Sequence, residues 1–591
     1  DESGNRTQVT DSMGVRTTST FDVTNRVIGL SYSDGSAAVS YSFDAAGNRT
    51  QMIDGSGTVT YSYDNRNRLT NVNRGPDTFT YGYDKASNII SRTYPDSTVV
   101  QSTYDDDGRL SSTATTGATT TYGYDAASNL LTATLPASNG YVESRTYDQA
   151  GRTTDIRSVK GGATLSDYAY SYDNVGNPTT VTTPSEVATF GYDPQDRVTN
   201  ACYGTACAGG SISWAYDAVG NRTAETRPSG TTTYTYNSGD ELTSAAGPAG
   251  TIPYSYDTDG RMITAGLQSY GWNGTGKMTT ATTAPGTTTY TYDGDGNRLS
   301  ASLSGATTNY SWDLNTSVPN LALERDGSGG LVRRYVYGAG PVSMTTAAGS
   351  FYYHDDALGS TVAMTSSTGA TETTATYEPF GATRATTKVD PAAPANPLAF
   401  NGQYLDPTNL YHLRARQYDP TLGRFISPDP APPAVADPST STYLYAFGRP
   451  GVLVDPSGLF PSWKSVKLVA SFVPIVGSAI AAYDFGASLA NVALTCGIHN
   501  WGASACTDAW VTSAAKGVSL ALSVASDLCE FGSAGALTPA CAGLKIASLG
   551  VGVLSGALDY GAGTAYAPGS SGYGYEYGGG GGGGWGYGPR K

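Results

Sequence analysis

Fifteen times in the first 313 residues an aromatic residue stands directly before Asp or Asn, with steps close to twenty. Examples are Phe43-Asp44, Tyr63-Asp64, Tyr83-Asp84, Tyr104-Asp105, Tyr124-Asp125, Tyr192-Asp193, Tyr256-Asp257 and Tyr292-Asp293. A fixed period of this kind predicts a repeat architecture in which each unit buries its apolar face only by stacking on its neighbours. Most of the chain then reads as a wall, and function is to be sought in what the wall surrounds.

One unit reads Tyr61-Ser62-Tyr63-Asp64-Asn65-Arg66-Asn67-Arg68-Leu69-Thr70. Tyr61 and Tyr63 share a strand face, because side chains alternate along a strand. Asp64 opens a turn, where its short carboxylate can accept from backbone N–H groups. Other units supply Gly at the tight position, as in Asp217-Ala218-Val219-Gly220-Asn221-Arg222 and Asp293-Gly294-Asp295-Gly296-Asn297-Arg298, since Gly accepts a positive φ. Stretches such as Thr58-Val59-Thr60 favour strands. Each unit is thus a strand, a turn and a returning strand. Lone hairpins are marginal, so the units are expected to join into one long antiparallel sheet that twists and coils. Stacking is expected to set Tyr beside Tyr on adjacent strands, at about 0.5–1.5 kcal/mol per ring pair.

The spacing has exceptions. Steps of 23, 25 and 24 precede Asp148, Asp173 and Asp217, and a step of 16 leads to Asn273. Insertions belong in surface loops, and Cys202 and Cys207 fall in one, which predicts a loop clip rather than redox chemistry. Asn-Arg-Thr at Asn5, Asn48 and Asn221 fits the glycosylation pattern, yet it falls at the repeat's turn, which explains it without sugar.

Composition narrows the classes. Among 591 residues there are 43 Tyr and 74 Gly and only 14% charged residues, too aromatic for disorder and too polar for a membrane protein. The formal net charge of −15 argues against a shell that coats nucleic acid or an anionic membrane. Six basic and six acidic residues follow Phe460, so the C-terminal region is neutral and the preceding 459 residues carry the whole charge. No C-x-x-C occurs and there are three His, so no metal or cofactor is expected. Cys496, Cys506, Cys529 and Cys541 suit either two disulfides of an exported protein or buried thiols. The chain opens inside a repeat, Gly4-Asn5-Arg6-Thr7 echoing Gly47-Asn48-Arg49-Thr50, and reads as truncated at its N-terminus.

The Tyr-Asp units followed by Gly-Asn-Arg resemble the YD repeats of RHS proteins, a family of bacterial polymorphic toxins, C subunits of insecticidal toxin complexes and animal teneurins. The likeness sharpens over residues 351–459. There the chain carries His354-Asp355-Asp356-Ala357-Leu358-Gly359-Ser360, Tyr377-Glu378-Pro379-Phe380-Gly381 and Phe400-Asn401-Gly402-Gln403. Leu413-Arg414-Ala415-Arg416-Gln417-Tyr418-Asp419-Pro420, Gly423-Arg424-Phe425-Ile426-Ser427-Pro428-Asp429-Pro430 and Asp455-Pro456-Ser457-Gly458-Leu459 follow. This ordered series is similar to the RHS repeat-associated core, and the resemblance covers roughly three quarters of the chain.

The resemblance implies a mainly β fold. A YD-repeat antiparallel sheet spirals into a β-cocoon shell, followed by a small α-helical C-terminal region. The parts are a shell over 1–350, a core over 351–459 that plugs one end, a variable apolar helical segment over 460–567 and a Gly/Tyr-rich disordered tail over 568–591. The core is implied to be a self-cleaving aspartic autopeptidase that cuts between Leu459 and Phe460, with Asp429, Asp455 and Arg416 serving the cut. The chemistry is coherent. Two close carboxylates share a proton, one acting as base toward water and the other donating to the amide, and Arg416 holds one of them with a forked pair of hydrogen bonds. On residue pattern alone all three read better as members of Pro-rich turns that close the plug; the ordered motif series reverses that preference, while Asp419 and Asp437 read as turn residues. His354, His412 and His499 read as packed or surface residues.

Residues 466–483 carry one charge and contain Pro474 and Gly477, and 518–526 and 546–558 are small and aliphatic. They read as short apolar helices, none of membrane-spanning length, forming either a small helical domain or a membrane-active hairpin set kept soluble inside the shell. No nuclease, deaminase or transferase constellation is visible there. The expected function is an RHS-type toxin shell, secreted or on the cell surface, that encloses and cleaves its own C-terminal cargo. Its partners would be that cargo, a second RHS or B-subunit-like protein or a missing N-terminal segment, and an immunity protein. The alternatives are an extracellular structural or adhesion YD-repeat protein without cleavage, and a degenerate remnant with an inert tail.

Overall fold

A computed structural model describes residues 1–430 and 440–459 and the backbone of the short strand Ser462–Trp463. Phe460, the apolar segment and the Gly/Tyr-rich tail lie outside the described residues, as do Asp437 and the four C-terminal cysteines. Thirty-seven strands, from Gln8–Thr10 to Thr383–Lys388, form one sheet in which each strand is antiparallel to the next in sequence. The described residues include three single-turn 3-10 segments, and no helix among them is long and apolar enough to cross a membrane.

The unit containing Asp64 shows why the sequence folds this way. Strand Gly57–Tyr63 pairs with Leu69–Arg74, with Tyr61 opposite Val72 and Tyr63 opposite Leu69 across a bulge. Val59, Tyr61, Val72, Phe79 and Tyr81 are buried on one face, while Thr58, Thr60 and Ser62 are exposed on the other. At the turn, Oδ1 of Asp64 accepts from the N–H groups of Arg66 at 2.8 Å and Arg68 at 3.1 Å, and Oδ2 accepts from Nε of Arg68 at 2.7 Å. Asn67 takes φ 59°, the position that Gly47, Gly108 and Gly220 fill in other units. The same unit then grips the next one. Nη1 of Arg68 donates to the carbonyl of Asp84 at 2.9 Å, and the hydroxyl of Tyr83 donates back to the carbonyl of Leu69 at 2.6 Å. Arg109, Arg152 and Arg197 make the equivalent reach to the carbonyls of Asp125, Asp173 and Asp217.

The expectation that Tyr stacks on Tyr is corrected by this geometry. The guanidinium carbon of Arg68 lies 4.5 Å from the ring centre of Tyr83, and Arg109, Arg152 and Arg197 cover Tyr124, Tyr172 and Tyr216 in the same way. A cation over each ring face takes the place of a second ring. Where Asn replaces Arg, the amide bridges instead: Nδ2 of Asn48 donates to Asp44 at 2.9 Å and to Oδ1 of Asn67 at 3.0 Å. Asn48 and Asn221 are 4% and 2% exposed and use their amides inside the array, which leaves no room for a sugar on either. Cys202 and Cys207 are disulfide-bonded and clip the loop as the sequence predicts.

Hydrogen bonds between residues far apart in sequence show that the strip returns upon itself. Arg49 pairs with Asp295, Tyr81 with Asp313, Arg334 with Asp96 and Arg325 with Asp77, at separations of 246, 232, 238 and 248 residues. Farther along the separation narrows: His354 meets Ser158 196 residues away, and Arg227 meets Glu378 151 residues away. Both His354 and His412 are buried, as packed histidines.

After the last long strand, four short strands, Tyr404–Leu405, Tyr411–Leu413, Arg416–Asp419 and Arg424–Phe425, form a separate small sheet. Its core is aromatic, with Phe400, Tyr411, Tyr418, Phe425 and Tyr445 packed together. It is fastened to the large sheet by the buried Arg298–Asp406 pair at 2.6 Å, by Tyr443 donating to the carbonyl of Gly260 at 2.6 Å and by Met262 donating to the carbonyl of Ile426 at 2.9 Å.

Candidate active site

The small sheet brings Arg416, Asp429 and Asp455 together. Arg416 opens the strand Arg416–Asp419 and is 3% exposed. Its Nη2 stands 2.9 Å from Oδ2 of Asp429 and 3.4 Å from Oδ2 of Asp455, so both carboxylates converge on one nitrogen. Nη1 donates to the carbonyl of Thr442 at 3.1 Å, and Nε donates to the carbonyl of Gly458. The ring of Phe425 lies 3.5 Å beneath the guanidinium carbon. Arg416 therefore bridges two carboxylates and two carbonyls.

Asp455 closes on the segment that follows it. Its Oδ1 accepts from the Ser457 hydroxyl at 3.1 Å and from the N–H of Leu459 at 3.1 Å. This is the turn chemistry of the repeats, with a carboxylate serving the residues two and four ahead. The difference is burial. Asp64 and Asp44 in the repeat turns are held below the usual carboxylate range, chiefly by hydrogen bonds that outweigh burial. Asp455 is 1% exposed, and burial pushes its carboxyl upward despite Arg416 and the bonds from Ser457 and Leu459. A buried, proton-favouring carboxyl and a second, less buried carboxylate on one guanidinium form the pairing that acid–base cleavage needs.

Three contributors were not singled out in the sequence. Arg414 adopts φ 55° and binds the carbonyls of Pro456 at 3.1 Å and Pro319 at 3.1 Å, so it holds the same segment from the other side. Ser457 links its hydroxyl to Asp455 and its carbonyl to the N–H of Ala415 at 3.1 Å. Gly458 adopts φ 70°, and a Cβ there would meet the carbonyl of Leu413 and the N–H of Arg416. All three lie inside quoted motifs, but their roles depend on a hairpin and a segment about forty residues apart meeting in space, which spacing does not disclose.

Residues 1–118 and 189–447 match the Teneurin YD-shell family, more than half of the chain, and residues 104–139 match the RHS Repeat family. The chain belongs to the Teneurin YD-shell family. As an RHS/YD-repeat protein it is similar to proteins named as toxins. Over 184 residues this YD-shell chain is 30% identical to the tRNA3(Ser)-specific nuclease WapA of Bacillus spizizenii, covering 31% of this chain and 7% of that protein. Over 123 residues it is 36% identical to the double-stranded DNA deaminase toxin A of Burkholderia cenocepacia, covering 20% of this chain and 8% of that protein. The YD-shell chain thus spans under a tenth of the curated relatives it matches. Among solved structures, the TcdB2-TccC3-TEV crystal structure superposes with a TM-score of 0.61 at 18% identity, over 78% of this chain and 27% of that one. A Photorhabdus luminescens Tc holotoxin pore gives 0.52 at 17%, over 78% and 29%. At these identities the likeness establishes a shared YD-shell fold.

Proposed function

We propose that this chain is the shell and plug of an RHS-type toxin, that it encloses the polypeptide beginning at Phe460, and that it severs that polypeptide after Leu459. One observation carries the reading. A nearly inaccessible carboxyl, Asp455, binds the N–H of Leu459, while Arg416 binds the carbonyl of Gly458 and draws Asp429 to the same place. In the proposed step, Asp429 takes a proton from water as its oxygen attacks the Leu459 carbonyl carbon. The Leu459–Phe460 C–N bond then breaks, and Asp455 gives its proton to the departing nitrogen. Arg416 and Arg414 position the segment rather than react.

The return of the sheet upon itself supports the enclosing part of the reading. The relatives named as nuclease and deaminase toxins support a C-terminal cargo of 460–567 that acts on a target cell. The partners follow from that: the cargo itself, a second RHS or B-subunit-like protein or an N-terminal segment that completes the enclosure, and an immunity protein in the producer. Secretion or surface display follows as well. A structural or adhesion role without cleavage draws on a different observation, that Asp455 binds its segment as the non-catalytic repeat aspartates do.

Intact-mass spectrometry of the purified chain separates the two. The toxin reading expects fragments ending at Leu459 and starting at Phe460, lost in Asp429→Asn and Asp455→Asn. An uncut wild-type chain overturns it in favour of adhesion.

A further inference from the structure

An unbroken series of hydrogen bonds ties the segment before Leu459 to a distant part of the strip. The strands Asp77–Tyr83 and Ile89–Thr93 belong to its first winding. The hydroxyl of Tyr81 donates to Oδ1 of Asp313 at 2.8 Å, and Nε of Arg92 stands 3.2 Å from Oδ2 of the same residue. The amide of Asn315 donates to the hydroxyl of Tyr83 at 2.7 Å. Asp313 closes the strand Ala306–Asp313, and Asn315 lies in the loop that leads to the strand Asn320–Asp326. That loop is braced from within. Asp313 accepts from the N–H of Asn315 at 3.0 Å, and the Thr316 hydroxyl donates to the carbonyl of Val318 at 2.8 Å.

The far end of the loop reaches the candidate site. Pro319 offers its carbonyl to Nη2 of Arg414 at 3.1 Å and to Nε at 3.3 Å. Nη1 of the same guanidinium donates to the carbonyl of Pro456 at 3.1 Å and to Oε1 of Gln403. One planar fork thus joins the loop to the residue that follows Asp455. The three oxygens that hold it are neutral, two main-chain carbonyls and a side-chain amide. Arg414 is partly buried, and desolvation disfavours its charge. A guanidinium held in this way keeps its place through the geometry of its acceptors. Withdrawing the Pro319 carbonyl strands two donors in a partly dry site and loosens the grip on Pro456.

We infer that Asp313 and Asn315 are positioning residues for the cut, acting through Arg414, so that the Leu459–Phe460 bond is presented to Asp429 and Asp455 only where the second winding has closed on the first. The inference rests on the toxin reading above. A shell that has not closed keeps its cargo attached.

The first measurement needs no cleavage and uses the full chain carrying Asp429→Asn. The N–H groups of Ala415 and Leu459 bind the Ser457 carbonyl and the Asp455 carboxylate. Their exchange should quicken about fivefold with Asn315→Ala, a change at a partly exposed side chain. Arg414→Gln should quicken it about thirtyfold, and adding Asn315→Ala to that variant should add nothing. Exchange at Phe425, whose N–H binds the carbonyl of Tyr443 in the same small domain, should stay unchanged. With Asp429 restored, intact-mass spectrometry from the time of synthesis should show the fragment ending at Leu459 appearing more slowly by the same factors. Unchanged exchange in Asn315→Ala, a further fivefold effect in the double variant, or equal quickening at Phe425 overturns the inference. A cut chain whose Asn315→Ala form is cut at the wild-type rate overturns this inference alone. A wild-type chain that is never cut overturns the toxin reading and this role with it.

Discussion

Replacing Asp64 by Ala tests whether the turn carboxylate holds the array together. The substitution removes the acceptor of two N–H groups, those of Arg66 and Arg68, and the partner of the Arg68 guanidinium at 2.7 Å. The two N–H bonds to a carboxylate contribute about 1 kcal/mol each at a site that water can reach. The ion pair, with side chains 25% and 17% exposed, adds about 1 kcal/mol after solvent screening. A loss of about 3 kcal/mol follows, and because repeat arrays couple mainly to nearest neighbours it should stay local. Amide hydrogen exchange at residues 66–74 and 79–84 should quicken about a hundredfold, while units near Asp173 keep their protection. Asp64→Asn keeps Oδ1 as an acceptor and should lose only the charge, quickening exchange about fivefold. Equal effects of Ala and Asn, or exchange that rises equally along the whole sheet, would refute the reasoning.

Two further outcomes are expected. His354 bonds Ser158 and Thr365 across the returning strip, and burial lowers its pKa from 6.5 to about 3, so the unfolded chain binds a proton that the folded chain refuses. Its stabilising share is full above pH 6.5 and is lost as the pH falls. Between pH 7 and pH 4, urea unfolding should show the wild type losing about 3 kcal/mol more than His354→Gln, and parallel pH curves would contradict this. Gly458→Ala places a methyl against the carbonyl of Leu413 at a positive φ. Mass spectrometry should find this variant uncut even with Asp429 and Asp455 intact, and normal cleavage would show that the segment need not dock there.

The sequence disclosed the large sheet because its signal is local. Asp64, the left-handed position at Asn67 and the paired Tyr61 and Tyr63 each act within a few residues, and fifteen repetitions confirm one another. What covers the tyrosine rings was not legible, because Arg68 meets Tyr83 of the following unit through a side-chain rotamer that no period encodes. The same limit applies at the candidate site. Motif resemblance pointed to Arg416, Asp429 and Asp455, and the structure brings them to one guanidinium. It did not indicate that Arg416 binds Gly458 and Thr442 as well, or that Arg414 grips Pro456. Those contacts arise from chain crossings at long range.

The returning strip has a consequence for how such a chain changes length. Twelve steps of the aromatic-Asp/Asn repeat separate Asp44 from Asp293, and Arg49 meets Asp295 at the end of that count. Deleting one unit between them would present Arg49 with the following turn, where Asn315 holds the place of Asp295. A charged partner would become a neutral one, and every later pairing would slip by the same step. The side chains along the rim thus act as a vernier scale, on which the number of units is written and any miscount is penalised.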